Sequence, residues 1–441
     1  MASMRETANN TSIISSRTLY PQIASLLVYQ DIFDCPIGQA FLALLQRLYT
    51  DQSVQNSNAT ATTQCLKCYG RFFRELAIAD LSWPDWLLMR ILQDDNPFSQ
   101  QAQRKPLGEI SMPLQKAVQH DLRILQQIYQ CKPETFSHWV QVATQVAAPL
   151  IAWDGDRHSE EFLHHSDAWA ANLDQLAGYY HRHGVGQFAQ YKAFRWLDGQ
   201  LQNILEPDWL PLSDIVGYDT PKTALVQNTE CLLADLPALN VLLYGSRGSG
   251  KSSLVKALLG EYHGQGLRLV EVDKQGFQDL PEIVEILRQQ PQKFIIFVDD
   301  LSFEEDDDIF KSLKVVLEGS IRARASNVVV YATSNRRHLV REFFEERPRP
   351  GDAQEIHQWD TVQEKLSFSD RFGLTLTFEP ANQDTYLKIV HHLAQRANLQ
   401  LEADTLEFRA KQWATRHNGR SGRTARQFVD FLIGEQALTS S

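Results

Sequence analysis

Residues 245 to 252 read Gly-Ser-Arg-Gly-Ser-Gly-Lys-Ser, a G-x-x-x-x-G-K-[ST] pattern. Such a pattern can cradle a polyphosphate, because glycines let consecutive backbone N–H groups turn toward phosphate oxygens. The apolar run Leu239–Tyr244 predicts a strand before it, and Ser253–Leu259 predicts a helix after it. A helix start adds partial positive charge beside the cradle. Gly245, Ser246, Arg247, Gly248, Ser249, Gly250, Lys251, Ser252 and Ser253 are therefore the expected nucleotide contacts. Lys251 is placed to reach the β- and γ-phosphates, and Ser252 to hold Mg2+.

Two further runs supply acids and amides. Lys293–Val298 is an apolar strand pattern that ends in Asp299 and Asp300. An acid at the C-terminal end of a strand beside a phosphate site can hold Mg2+ directly or through water, which is the role expected of Asp299. Asp300 is expected to orient the attacking water; otherwise Glu304 or Glu305 supplies the base. Asp306, Asp307 and Asp308 read as a solvated helix start. Asn327–Thr333 is a second buried-looking strand, and Asn335 beyond it could bond the γ-phosphate or the water. Arg336, Arg337 and His338 read either as a solvated helix start or as a subunit contact.

Arginines complete the set. Arg371, in Ser-Asp-Arg-Phe-Gly, stands just before a strand. Its guanidinium could stabilise charge on the γ-phosphate of a neighbouring subunit, or pair with Asp370 on the surface. Arg423 opens a late helix and could fold onto the γ-phosphate of its own chain. Arg420 and Arg426 compete with it for that role.

Positioning these groups requires a parallel sheet. Strands are predicted at 240–244, 267–272, 294–299, 328–333 and 374–378, with helices between them, for example 280–289 and 309–317. That alternation predicts an α/β core over 207–380. Helices at 383–397, 403–416 and 424–433 predict a helical lid over 381–436. Residues 1–18 read as a disordered start and 19–206 as a mostly α-helical domain or pair of domains. Helical spacing is clear at 39–49, 114–129 and 188–196, whereas 51–64, 96–113 and 341–361 read as loops. Seven of the nine tryptophans precede residue 210, enough aromatic bulk for a separate core.

Composition narrows the function classes. The chain has 441 residues, 43% hydrophobic and 22% charged, which predicts a globular protein of two or three domains. No apolar run reaches the roughly 18 residues of a membrane span. A net charge of −11 disfavours a general nucleic-acid coat. Five cysteines and no export signal predict reduced thiols in a cytoplasm. Cys65 and Cys68 lack the second pair a zinc site needs. His158, His164 and His165 near Asp167, and His181 with His183, read as solvated or hydrogen-bonding side chains.

Taken in order, glycine loop, acidic strand, asparagine strand, Asp-Arg-Phe-Gly and an arginine-bearing lid resemble the AAA+ ATPases. More narrowly, the chain resembles a bacterial family of unknown task, DUF815. The shared strings are YKAFRW (191–196), YGSRGSGKSSLVKALL (244–259), VDDLSFEEDD (298–307), LKVVLEG (313–319), YATSNRRHL (331–339), LSFSDRFGL (366–374) and SGRTARQF (421–428). The resemblance implies a P-loop α/β core with a parallel five-stranded sheet, a lid, and ATP with Mg2+ as ligands. It implies Lys251, Asp300, Asn335, Arg371 and Arg423 as catalytic groups, with Ser252 and Asp299 on the metal. Leu212–Tyr218 resembles the segment that packs near the adenine. Asp300 stands where AAA+ ATPases carry glutamate, a side chain one methylene longer. ATP is favoured over GTP by the resemblance, and no Asn-Lys-x-Asp string occurs. The expected activity is hydrolysis coupled to a partner, in a nucleotide-dependent ring or partial ring, with the helical half binding that partner. The alternatives are a slow ATP-loaded switch and a P-loop small-molecule kinase.

Overall fold

In the computed structural model, the described residues are 16–51, 59–155, 162–301, 317, 325–335, 371–417 and 419–439. They divide into two units, Met1–Gln190 and Tyr191–Ser441.

The first unit is helical. Its α-helices are α1 (Ser16–Ala24), α2 (Pro36–Asp51), α3 (Ala59–Ala79), α4 (Trp83–Gln93), α5 (Pro97–Ala102), α6 (Met112–Tyr129), α7 (Pro133–Thr144), α8 (Leu173–His183) and α9 (Gly186–Gln190). Aromatic rings hold α2, α3, α4 and α7 together. Phe41, Phe72, Trp83 and Phe136 are all buried. The Phe41 and Trp83 ring centroids lie 4.2 Å apart, and Phe72 and Phe136 meet Trp83 edge-on. Each such side chain contributes about 1.5–3 kcal/mol by leaving water. The buried Asp121 carboxylate is matched: it accepts the backbone N–H groups of Leu27, Val28 and Tyr29. Residues 96–113, expected as a loop, contain α5. Asn96 caps α5, accepting from Ser99 N while its own N–H donates to Ser99 Oγ.

The second unit carries β1 (Ala193–Leu197), β2 (Gln200–Ile204), β3 (Val241–Gly245), β4 (Leu267–Val272), β5 (Lys293–Val298), β6 (Val328–Ser334) and β7 (Leu374–Phe378). They form a seven-stranded sheet in the order β2-β1-β4-β5-β6-β3-β7. Only the β1–β2 pair is antiparallel. β6 is buried along its whole length and β5 at all but its first residue. This is the burial expected of parallel strands covered on both faces. Among the described residues, the helices of this unit include α10 (Asp219–Leu233), α11 (Lys251–Tyr262), α12 (Leu280–Arg288) and three lid helices: α13 (Gln383–Arg396), α14 (Ala403–Arg416) and α15 (Gly422–Thr439). The lid has its own core, built on Tyr386, Val390, Ala410 and Phe428.

The five parallel strands fall within a residue or so of their sequence positions. The sheet gains two more, because 191–197 is not helical as expected. Phe194 and Trp196 are buried while Arg195 between them is exposed, a period of two. Asp198 and Gly199 both take positive φ, 52° and 72°, the two-residue hairpin turn that an Asp-Gly pair favours. β1 pairs with β4, so 191–206 belongs with the sheet, and the helical unit ends at Gln190 rather than at 206. The lid's last helix also runs longer than expected, over Gly422–Thr439. The expected helix at 309–317, apart from Leu317, and the loop at 341–361 lie outside the described residues, as do residues 1–15 of the expected disordered start.

Candidate functional site

The strand order makes β6 the neighbour of both β3 and β5. Tyr244 pairs with Ser334 and Val298 with Ala332, so the three strands end nearly flush. The glycine loop, Asp299–Asp300 and Asn335 therefore emerge side by side at one sheet edge, where α/β folds place their ligands.

Gly245 ends β3 with φ 145°. A Cβ there would stand 2.0 Å from the Phe378 carbonyl oxygen on β7, so only glycine lets the loop leave the sheet at this point. Gly250, with φ 89°, turns the loop into α11. Lys251 begins that helix and is 5% exposed. Its Nζ donates to the carbonyls of Gly245 and Ser246, both at 2.9 Å, and to Asn335 Oδ1 at 3.2 Å. Burial pulls the Lys251 ammonium down to about 8, opposed by the Asp299 and Asp300 carboxylates, which favour its charge.

Ser252 Oγ donates to Asp299 Oδ1 at 2.7 Å. Thr333 Oγ1 donates to the same oxygen at 2.6 Å and accepts from Asp300 N at 3.0 Å. Asn335 Nδ2 donates to Asp300 Oδ1 at 2.6 Å. The bonds close a ring: Lys251, Asn335, Asp300, Thr333, Asp299, Ser252, and back along the chain to Lys251. Asp300 is held in a left-handed backbone conformation, φ 53°, uncommon for a residue with a side chain.

Above this ring lies a cavity of about 510 Å³. Its lining includes the polar and charged groups of Arg247, Gly248 to Ser253, Asp299, Asp300, Thr333 and Asn335, with Asp214, and the apolar side chains of Leu210, Ile215, Val216 and the lid residues Ile389 and Leu393, with Tyr218. A triphosphate with a flat base needs both kinds of partner. The segment expected near the adenine thus contributes to the lining. It is tied to α13 by Asp214, 5% exposed at its side chain, which pairs with His392 and Arg396. A hard cation suits the donor set of one hydroxyl and one carboxylate, with water completing the shell. Asp299 Oδ2 has no hydrogen-bond donor among the described residues. The residues present fit Mg2+ at this place.

The lid touches the loop directly. Gly248 O accepts the N–H groups of Gly422 at 2.9 Å and Arg423 at 3.4 Å, two first-turn donors of α15. Ser421 caps the same helix through Thr424 N. Arg423 and Arg426, three residues apart and so on one face, both line the cavity. Arg420 does not, and donates to Gln383 instead. Arg371 is half-buried and is not among the lining residues. Glu304, Glu305, Asp306–Asp308, Arg336–His338 and Asp370 lie outside the described residues. No group of three or more metal-ligating side chains occurs among the described residues, and Cys65 and Cys68, both on α3, form no disulfide. No described helix is long and apolar enough to cross a membrane.

Thr333 was not among the sequence candidates. Its signal was present: it stands two residues before Asn335 on a strand, and so on the same face. Asp214 left no comparable mark.

A family model described as "Protein of unknown function (DUF815)" matches residues 189–436, more than half the chain. A probable spastin homolog of Brugia malayi is 26% identical over 160 residues, which cover 31% of this chain and 35% of that protein. The matched segment thus spans about a third of that curated relative. Three solved structures of the Thermotoga maritima RuvB Holliday junction branch migration motor, two of them single-residue variants, are also similar. They are 14%, 13% and 12% identical, each covering 50% of this chain and 71% of the other, with TM-scores of 0.31, 0.32 and 0.32.

Proposed function

This chain belongs to the family described as DUF815, and from that premise we propose that it is an AAA+ ATPase that binds and hydrolyses Mg2+–ATP between the core and the lid. The observation that carries the reading is the closed ring of hydrogen bonds from Lys251–Ser252 to Asp299–Asp300 at the floor of the cavity.

The amides of Gly248 to Ser252 and the Lys251 ammonium bind the β- and γ-phosphates, and the Leu210–Tyr218 segment with Ile389 and Leu393 takes the base. Lys251 then exchanges its loop carbonyls for phosphate oxygens. Ser252 and Asp299 hold Mg2+, which neutralises phosphate charge when bound. Asp300, fixed by Asn335, orients the water for in-line attack. Arg423 stabilises charge on the γ-phosphate from its own lid, and Arg371 does so from a neighbouring subunit. A trans arginine needs subunit contact, so the working form is a ring or partial ring. The helical unit binds a protein partner, and the protein works in the cytoplasm on nucleotide-driven remodelling or regulation. The net charge of −11 gives no support to nucleic acid as that partner.

The test is direct. Purified protein binds ATP with Mg2+, and Lys251→Ala abolishes binding and turnover. Retained hydrolysis in Lys251→Ala, or no ATP binding by the wild type, ends this reading.

One observation favours a second reading, an ATP-loaded switch with little turnover. Asp300 is short, left-handed and already engaged by Asn335. A near-zero wild-type rate that rises in Asp300→Glu identifies the switch; a brisk wild-type rate removes it.

A further inference from the structure

We propose that Thr333 is the positioning residue of this site: its single hydroxyl sets the metal-holding carboxylate of Asp299 and the backbone of Asp300 at the same time. This inference rests on the ATPase reading and adds a residue that was not among the expected site residues.

The geometry carries it. Thr333 Oγ1 has one proton and two lone pairs. The proton goes to Asp299 Oδ1, 2.6 Å away, and a lone pair receives Asp300 N–H, 3.0 Å away. The residue itself is 2% exposed, at the floor of the cavity. The Thr333 main chain joins in, its carbonyl accepting Leu301 N at 2.7 Å. Three successive residues, Asp299, Asp300 and Leu301, are therefore pinned to one residue of the neighbouring strand.

Both acids need that pin. Asp299 Oδ1 already accepts from Ser252 Oγ. The second donor fixes the carboxylate plane and leaves Oδ2 for a cation. Asp300 adopts φ 53°, a strained conformation for a non-glycine residue that persists only when its surroundings hold it. The bond from its N–H to Thr333 is one hold, and the Asn335 amide on its side chain is the other. Thr333 is on β6 and Asn335 follows the strand's last residue, so the C-terminal end of β6 grips the acid turn at its backbone and at its side chain. Ser334 between them is fully buried and points the other way. Outer partners of metal-holding groups are worth about 10–100-fold in metal affinity or activity.

Thr333→Val keeps the shape and the strand preference and removes only the hydroxyl; Thr333→Ser keeps the hydroxyl and removes only the methyl. Three quantities are measured on the full chain: ATP affinity in EDTA, ATP affinity across a Mg2+ titration, and steady-state turnover. For Thr333→Val the expected result is unchanged affinity in EDTA, a Mg2+ midpoint raised about 10-fold or more, and turnover lowered about 10–100-fold. Thr333→Ser is expected within about 3-fold of wild type on all three. Wild-type Mg2+ dependence and turnover in Thr333→Val overturn the proposal while leaving the ATPase reading intact. So does equal damage from both substitutions with affinity lost in EDTA, since that marks a packing role. Loss of ATP binding by the wild type is the separate failure, of the reading beneath.

Discussion

Two alanines in the same loop should fail in different ways. At Gly245 a Cβ would lie 2.0 Å from the Phe378 carbonyl oxygen and 2.8 Å from its carbon, with φ at 145°. Backbone strain there costs about 1–3 kcal/mol. Forcing β3 and β7 apart costs about 1–3 kcal/mol more. The sum, about 2–6 kcal/mol, is a large part of a typical domain stability of about 5–15 kcal/mol. At Gly250 a Cβ meets nothing within 4 Å, and only the φ of 89° is unfavourable. That costs about 1–2 kcal/mol. Gly250 lines the cavity, however, so its added methyl group sits where phosphate is to bind. One or two lost charge-assisted bonds of about 1.5–3 kcal/mol each lower ATP affinity at least about 10-fold. Calorimetric melting of the full chain should thus show Gly245→Ala destabilised about two to three times as much as Gly250→Ala. At roughly 2–4 °C per kcal/mol, Gly250→Ala melts about 2–8 °C below wild type. Titration calorimetry with ATP should show Gly250→Ala folded but weak in binding. Equal melting losses in the two variants, or wild-type ATP affinity in Gly250→Ala, would refute the reasoning.

Other perturbations separate neighbouring residues. Arg423→Ala should lower turnover about 100-fold, the usual scale for one transition-state donor, while Arg420→Ala stays within about 2-fold in the same coupled assay. Asp214→Asn removes the charge that pairs with Arg396 and His392, so ATP affinity, read by fluorescent-analogue displacement, should fall about 5–10-fold at moderate salt and less steeply at high salt. Asp94 in the helical unit is raised to about 6 by burial, against Asn96 and Arg90, which favour its charge. Its folded pKa exceeds the unfolded one, so its stabilising contribution is complete below about pH 4 and is lost as pH rises through about 6. Asp94→Asn should therefore melt progressively higher relative to wild type as pH rises from 4 to 7, by no more than about 3 kcal/mol at the upper end. A pH-independent difference between the two would show that the buried carboxyl is not responsible.

The sequence revealed the parallel strands because fully covered strands are continuous apolar runs, as in Val328–Ala332 and Phe294–Val298. It concealed the β1–β2 hairpin because Phe188–Trp196 has apolar residues at spacings that serve a helix and a strand equally. The mark that separates the two is Asp198-Gly199, a hairpin-turn pair. At the site, glycine loop, acids and asparagine were legible because each ends an obvious strand. Thr333 was overlooked since a threonine inside a strand is ordinary until its partner across the sheet is known. The three lid arginines could not be ranked from spacing alone. Their difference is rotational: Arg423 and Arg426 share the face turned to the cavity, and Arg420 precedes the helix. Asp214 was illegible for another reason, since its partners lie about 180 residues onward in a helix whose docking no local pattern encodes.

The Gly248 carbonyl that receives the first amides of α15 makes the lid and the loop one mechanical object. A force that rotates the C-terminal bundle has a route to the glycine loop through the Gly248 peptide group, without passing through the sheet. Thermodynamic reciprocity then applies: a protein that grips the outer side of the bundle and shifts it changes the hold on nucleotide, and nucleotide changes the grip on that protein by the same factor.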